Sequence, residues 1–380
     1  MLRREDFYRI LRETILNYAR IVLGKEVRCE YNPFDGCEPW IVNRVLGFVS
    51  RVPVPHGLRV YMRSEYNVRG SFVKNLIGKV AVNIITRFPR IGASRIIYVS
   101  PGVFDKSVFI VPQNRSVRFY DYKKMTVDCI VKSGFTNRYF DTQASFRTNF
   151  QYDFLNPLLM QGNGWFQESV LHGHPLVRTT DPILFKKGIE DAFSYIKTLA
   201  TDTLEWIPVT EYIEKLKVDA LLKIERAQRV KCIIESESAI KLVEQAVTLA
   251  LRNNNDIPTC ISHGDFQSGN IWMEHSGRTI IYDWETAGRR SVWYDSATLY
   301  YSLRRAFGWS NMIKDESAIG LKRCLPDDVT INRDRISIMG IVLLEDILFY
   351  LDDMLELPNQ WGNEDFDRFI RNIKDLNLEV

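Results

Sequence analysis

At 380 residues, 46% hydrophobic and 26% charged, the chain is long enough for two lobes and has an ordinary soluble composition, which excludes disordered and fibrous classes. No apolar run reaches the roughly 18 residues of a membrane span, and Met1 to Asp6 carries acids where a secretory signal would have an apolar core, so a cytoplasmic protein is expected. The net charge of +3 hides an asymmetry: the first hundred residues hold 17 Lys/Arg against 8 Asp/Glu, the remainder 33 against 39. The basic N-terminal block reads as a surface for an anionic partner or as an ordinary solvated face. The six cysteines are scattered, with no Cys-x-x-Cys, so neither a disulfide framework nor a thiolate metal site is expected.

In chain order, residues 5–23 read as an amphipathic helix, with Phe7, Ile10, Leu11, Ile15, Tyr18, Ala19 and Val22 at three- and four-residue steps and Gly24 as a stop. Residues 28–56, rich in Pro, Gly and Asn, read as irregular. Gly57–Arg63 reads as a strand, and Ser71 as the cap of a helix ending before Pro89, although its run Val80–Ile85 also fits a strand. Strand signals then crowd together at Arg95–Ser100, Ser107–Val111, Ser116–Tyr122 and Thr126–Lys132, followed by a helix over Asn137–Phe150 and a strand over Trp165–Leu171. Asp181-Pro182 opens a helical half, with helices expected at 182–200, 209–228, 234–253, from Asp295, at 331–357 and near 364–376, and a loop at 310–330.

The most informative stretch is Ile261-Ser-His-Gly-Asp-Phe-Gln-Ser-Gly-Asn-Ile-Trp272, followed by Ile280-Ile-Tyr-Asp-Trp-Glu285. Asp265 and Asn270 keep the spacing of a kinase catalytic loop, and Asp283 closes a short apolar run, the place of a magnesium-binding carboxylate at a strand end. Either feature alone is common, because Asp and Asn favour turns and caps. Together, with His-Gly-Asp and Asp-Trp-Glu in that order, they resemble the aminoglycoside phosphotransferase/choline kinase group of the protein-kinase-like fold.

The resemblance implies an α+β, bilobal fold: an N-terminal extension over 1–94, a small lobe with an antiparallel sheet over 95–171 and a hinge near 168–172, and a mainly helical large lobe over 173–380. It implies ATP and Mg2+ as cofactors. Asp265 would take the proton of the attacking hydroxyl, and His263 would brace the loop. Asn270 and Asp283 would hold the metal through hard oxygen donors, with Glu285 either an extra ligand, a support behind the ligands or an exposed residue. The turn Pro112-Gln-Asn-Arg-Ser116 takes the place of the phosphate-covering loop without a glycine, leaving backbone amides, Ser116 and Arg115 to meet phosphate. Lys132 would grip the phosphates. Its customary helix glutamate is missing, and Gln143 or Asp141 stands there instead. Backbone groups of Glu168, Ser169 and Val170 would meet the adenine edge. His172 and His174 lack a third metal ligand and read as turn residues.

The expected product is a phosphorylated small molecule with a hydroxyl group, such as a sugar, glycan or aminoglycoside. A wall for it is sought in Trp293, Tyr300, Tyr301, Trp309 and Trp361 with Glu345, Asp346, Asp352, Asp353 and Glu356, residue types that stack on rings and bind hydroxyls or amines but also serve as core and solvated face. No long activation segment follows Glu285, which argues against a protein kinase. The rival reading is a catalytically silent kinase-like binding or scaffold module, favoured by the glycine-free turn and the missing helix glutamate.

Overall fold

The computed structural model describes residues 6–65, 72–230, 235–327, 329, 333–356 and 363–374. The chain divides into two compact units, one of residues 1–189 with 269–285 and one of residues 190–268 with 286–380. The division falls inside the helix Pro182–Asp202 and again between Ser268 and Gly269, not at the hinge near 172.

The first unit is built on a nine-stranded antiparallel sheet. Its spatial order is Cys29–Glu30, Arg95–Val99, Glu38–Asn43, Phe48–Arg51, Val108–Pro112, Ser116–Asp121, Thr126–Val131, Trp165–Ser169 and Leu158–Gly162. The four strands expected between residues 95 and 132 form within a residue of their expected bounds. Alternation sorts their side chains to two faces. Val108, Ile110, Val117 and Phe119 pack under the helix Phe7–Ile21, whose Phe7, Leu11, Ile15 and Tyr18 meet them at helical spacing. Phe109, Val111 and Tyr120 face the other side, toward Leu58, Met62, Phe140 and Phe166.

Three expectations for the first ninety residues are corrected. Residues 28–56 are not irregular: they supply three strands of the main sheet, Glu38–Asn43 pairing with Arg95–Val99 and Phe48–Arg51 meeting Val108–Pro112. The segment 1–94 is therefore woven into the sheet and is not an appended extension. Gly57–Arg63 is not a strand but part of the helix His56–Glu65, because Leu58 and Met62, one turn apart, are the residues that bury. A helix does occupy Phe72–Arg87, while Ser71 lies outside the described residues. The strand Leu158–Gly162 had no signal: it is a mostly exposed edge strand with no apolar alternation.

The same unit holds a second, three-stranded antiparallel sheet, Gly173–Pro175, Ile271–Glu274 and Thr279–Ile281. The second unit is mainly helical. Arg335–Glu356 runs through its middle, buried on nearly every side from Ser337 to Leu348, as a helix apolar all round must be. Val209–Arg229 and Ser236–Ala250 pack against it. The stretch 310–330, expected as a loop, carries the end of the helix Gly308–Lys314 and the single turn Ile319–Lys322. A small sheet, Glu205–Ile207, Ile257–Ser262 and Gly288–Ser291, closes this unit. The class is α+β, as expected. Among the described residues Cys29, Cys37, Cys129, Cys260 and Cys324 are free thiols, and no helix is long and apolar enough to cross a membrane.

Candidate active site

In the first unit, chain direction creates the most telling geometry. Strands Ile271–Glu274 and Thr279–Ile281 pair with Ile271 opposite Ile281, and the Tyr282 N–H donates to the Asn270 carbonyl at 3.1 Å. Asn270 and Asp283 therefore leave the same end of one hairpin. The Tyr282 hydroxyl ties back to the Gly269 carbonyl and fixes that end. Asp283 is half-buried and adopts φ 68°, a left-handed conformation uncommon outside glycine but tolerated best by Asn and Asp. Such outliers cluster at functional sites. Trp284, fully buried, stacks on Phe146 at 4.1 Å and anchors the next residue along.

The other edge of that small sheet is Gly173–Pro175, which follows the expected hinge directly. Between it and the main sheet lies a cavity of about 350 Å³. Residues 168–174, Trp272 and Tyr282 line it, with Arg118, Tyr120 and Gln143. This is the size and mixed apolar–polar character of a small-ligand site. Arg118 Nε and Trp272 Nε1 are buried there without a hydrogen-bond partner in the protein. Burial, and then the neighbouring His275 with its ring centroid 6.4 Å away, depress the pKa of His174, which also lines the cavity.

The expected nucleotide-side residues divide into two groups. Gln143, Glu168, Ser169 and Val170 line the cavity. Their main-chain polar groups, however, are largely taken: Glu168 lies in the ladder opposite Val127, the Ser169 carbonyl accepts from Asn156 at 3.1 Å, and the Val170 N–H donates to Met125 at 3.0 Å. The Glu168 carboxylate is buried between Arg147 at 2.7 Å and Arg118 at 3.6 Å. Asp141, the alternative to Gln143, is exposed.

Ser116, Arg115 and Lys132 are not among the cavity-lining residues. Lys132 is buried, with its ammonium donating to the Asn114 carbonyl at 3.0 Å, so it props the hairpin turn from beneath. Ser116 stands opposite Val131 in the ladder. Arg115 forms an ion pair with Glu285 and lies over the Tyr139 ring at 4.1 Å. Two residues assigned to phosphate and to metal thus engage each other.

In the second unit, one carboxylate organises the loop that carries Asp265. Buried Asp295 accepts from the Ser262 hydroxyl at 2.8 Å, the His263 N–H at 2.6 Å and the Gly264 N–H at 3.0 Å. Gly264 has φ 86°, and a Cβ there would sit 2.4 Å from the Thr286 carbonyl oxygen, so no other residue fits. His263 is fully buried; its Nδ1 accepts the Asp265 N–H at 3.3 Å, and its carbonyl accepts from Thr286. Asp265 itself is bound by Arg304 Nε at 3.0 Å and the Gln267 amide at 2.8 Å. Burial works to raise its pKa, but Arg304, Gln267 and His263 outweigh it and hold the carboxyl below its ordinary value.

Arg304 had no signal in the sequence, lying 39 residues beyond Asp265. It also pairs with Asp346, donates to the Gly264 carbonyl at 3.0 Å and lies 3.7 Å from the Phe349 ring centroid. Asp346 is fully buried and collects Tyr294 and Trp309 as well; Glu345 is buried on Tyr212 and Ser291. Trp293, Trp309 and Tyr301 are core, and Asp352 pairs with Lys223. The expected acceptor wall is therefore mostly interior: these side chains are consumed by packing and by one another. Tyr300 is 42% exposed, and Trp361 lies outside the described residues.

For metal, among the described residues no group of three or more His, Cys, Asp or Glu forms a cluster. Asn270 and Asp283 offer an amide and a carboxylate oxygen from one hairpin end, a donor set that fits magnesium, which typically takes few protein ligands beside phosphates and water.

Comparison with known proteins places residues 198–315 in register with the model of the phosphotransferase enzyme family, APH. That segment includes His263, Asp265, Asn270, Asp283 and Glu285, on which the resemblance was drawn. No curated protein matches the chain. Solved structures similar to it include an ethanolamine kinase from Plasmodium vivax, 13% identical over 82% of this chain and 90% of that one, TM-score 0.48. Others are a choline kinase from Streptococcus pneumoniae, 14% identical over 70% and 90%, TM-score 0.44, and an aminoglycoside phosphotransferase from Streptomyces rimosus, 17% identical over 63% and 92%, TM-score 0.38.

Proposed function

Taking the phosphotransferase-family match of residues 198–315 as premise, we propose that the chain transfers the γ-phosphate of ATP to a hydroxyl of a small molecule, with a sugar, glycan or aminoglycoside-like compound as acceptor. The observation that carries the reading is the hairpin end at Asn270 and Asp283, part of the same small sheet whose edge strand floors the cavity after the hinge.

In this reading the cavity takes the nucleoside and Asn270 and Asp283 hold Mg2+. The metal, when bound, supplies charge neutralisation on the phosphate oxygens. Asp265 accepts the acceptor hydroxyl's proton as its oxygen bonds to the γ-phosphorus and the bond to the bridging oxygen of ADP breaks. Its depressed pKa suits that work: the carboxylate stays ionised, and Arg304 and Gln267 fix its direction. His263 and Asp295 hold the loop's backbone still, so little reorganisation is left for the reaction itself. Arg115 acts from the hairpin turn, which Lys132 supports from the end of the neighbouring strand. The basic N-terminal block remains a candidate surface for an anionic partner.

One observation favours the catalytically silent reading: Asp265 is already engaged by Arg304 and Gln267. Magnesium-dependent ATP turnover across a panel of sugars, aminoglycosides, choline and ethanolamine separates the two. Transfer to one acceptor class is expected, falling roughly 10²–10⁴-fold in Asp265→Asn with nucleotide affinity retained. Turnover that survives Asp265→Asn contradicts the assignment of the base, and ATP binding without transfer to any acceptor supports the silent module.

A further inference from the structure

One wall of the cavity comes from the N-terminal block. Four of its lining residues, Val60, Tyr61, Arg63 and Ser64, belong to the helix His56–Glu65, well before the strands that carry the hinge. This helix is built into the sheet on its inner side. Leu58 and Met62 are fully buried among Phe109, Val111 and Val127. Gly57 lies so close to Tyr122 that a Cβ would fall 2.3 Å from the ring, and Tyr61 meets the Tyr120 ring at 5.1 Å. Such close packing holds the helix in one position relative to the main sheet. The helix also contacts Gly173–Pro175, the strand after the hinge.

We propose that the helix His56–Glu65 is part of the nucleotide site, enclosing the base and ribose of the bound purine nucleotide against the segment 168–174. The inference rests on the reading of the cavity as the nucleoside pocket, and assigns the N-terminal block a role in donor binding. Tyr61 joins Tyr120, Tyr122, Trp272 and Tyr282 on the cavity, aromatic side chains suited to a planar base. Arg63 and Ser64 add polar groups to the lining along the same helix. The hinge main chain offers little in return, since its Ser169 carbonyl and Val170 N–H are already bonded within the protein. Base affinity then depends on enclosure and on side chains, and this helix supplies a large part of both.

The test fills the cavity from this wall without removing core. Val60 is 41% exposed and Ser64 half-buried, so Val60→Trp and Ser64→Trp add bulk on the cavity side while Leu58 and Met62 stay in place. Calorimetric titration of the full chain with adenosine, Mg-ATP and inorganic tripolyphosphate reads the two ends of the nucleotide separately. The expected result is a loss of about tenfold or more in affinity for adenosine and for Mg-ATP in both variants, with tripolyphosphate binding and the melting temperature unchanged. Both variants binding adenosine as the parent does would overturn the proposal. A parent chain that binds adenosine but transfers no phosphate refutes the catalytic reading and leaves the wall standing; a parent that binds neither adenosine nor ATP overturns both.

Discussion

The two units differ in what their buried polar groups surround. In the helical unit Asp295, Glu345 and Asp346 each gather several donors, and even Asp265 is oriented by two neighbours. In the sheet unit Arg118 and Trp272 line a cavity of about 350 Å³; each has a buried N–H without a hydrogen-bond partner, as Trp293 and Arg333 do in the helical unit. What separates the units is the cavity, of a size that suits a small ligand, in the one and the densely bonded loop in the other. One holds the loop around Asp265 in place; the other keeps an open cavity.

The largest effect is expected at Glu168, a cavity-lining carboxylate held by two guanidinium groups. It neutralises Arg147 and Arg118 in the interior, so Glu168→Ala strands two guanidinium groups and is expected to cost about 3–5 kcal/mol in urea unfolding. Replacing Glu168 and Arg147 together by apolar residues is expected to cost much less, because no unpaired pair-partner is left on that side.

The helical unit's counterpart is Glu345. Burial, against the hydrogen bonds of Ser291 and Tyr212, raises its pKa from an ordinary 4.5 to about 7. Between those values the folded chain holds a proton that the unfolded chain has lost. Stability is thus full below pH 4.5 and falls as pH rises toward 7, by about 3 kcal/mol from this group. Thermal unfolding across that window checks it, and Glu345→Gln is expected to flatten the slope. A subtler effect is expected at Arg304. Arg304→Lys weakens the hold on Asp265, so its pKa rises and the acid limb of the pH–rate profile moves to higher pH. An unmoved acid limb with unchanged folding would mean that Arg304 serves Asp346 alone.

The sequence points to a candidate site where chemistry forces residue type and spacing together. Asp265, Asn270 and Asp283 are readable because a five-residue offset and an apolar strand are both required. The helices of the second unit are readable because their apolar periodicity is long. Residues 28–65 were not readable: their strands are two to six residues long, and Leu58–Met62 fits either period over so short a run. Arg304 and Arg147 escaped notice because partnership between residues distant in sequence leaves no local trace. Glu345 and Asp346 were misassigned to a binding wall, since a carboxylate's burial cannot be seen in its neighbours along the chain. Arg118 was within reach: it lies two before Tyr120 on a strand whose Val117 and Phe119 face the other way.

The central claim is that Asn270 and Asp283 form the metal-holding end of a nucleotide site. Calorimetric titration with ATP, in magnesium and in excess chelator, tests it most directly in the parent chain and in Asp283→Ala. The expected result is roughly tenfold tighter binding with magnesium in the parent, and no such gap in the variant, whose chelator-measured affinity is unchanged. A folded Asp283→Ala chain that keeps the full magnesium-dependent gain would contradict the account.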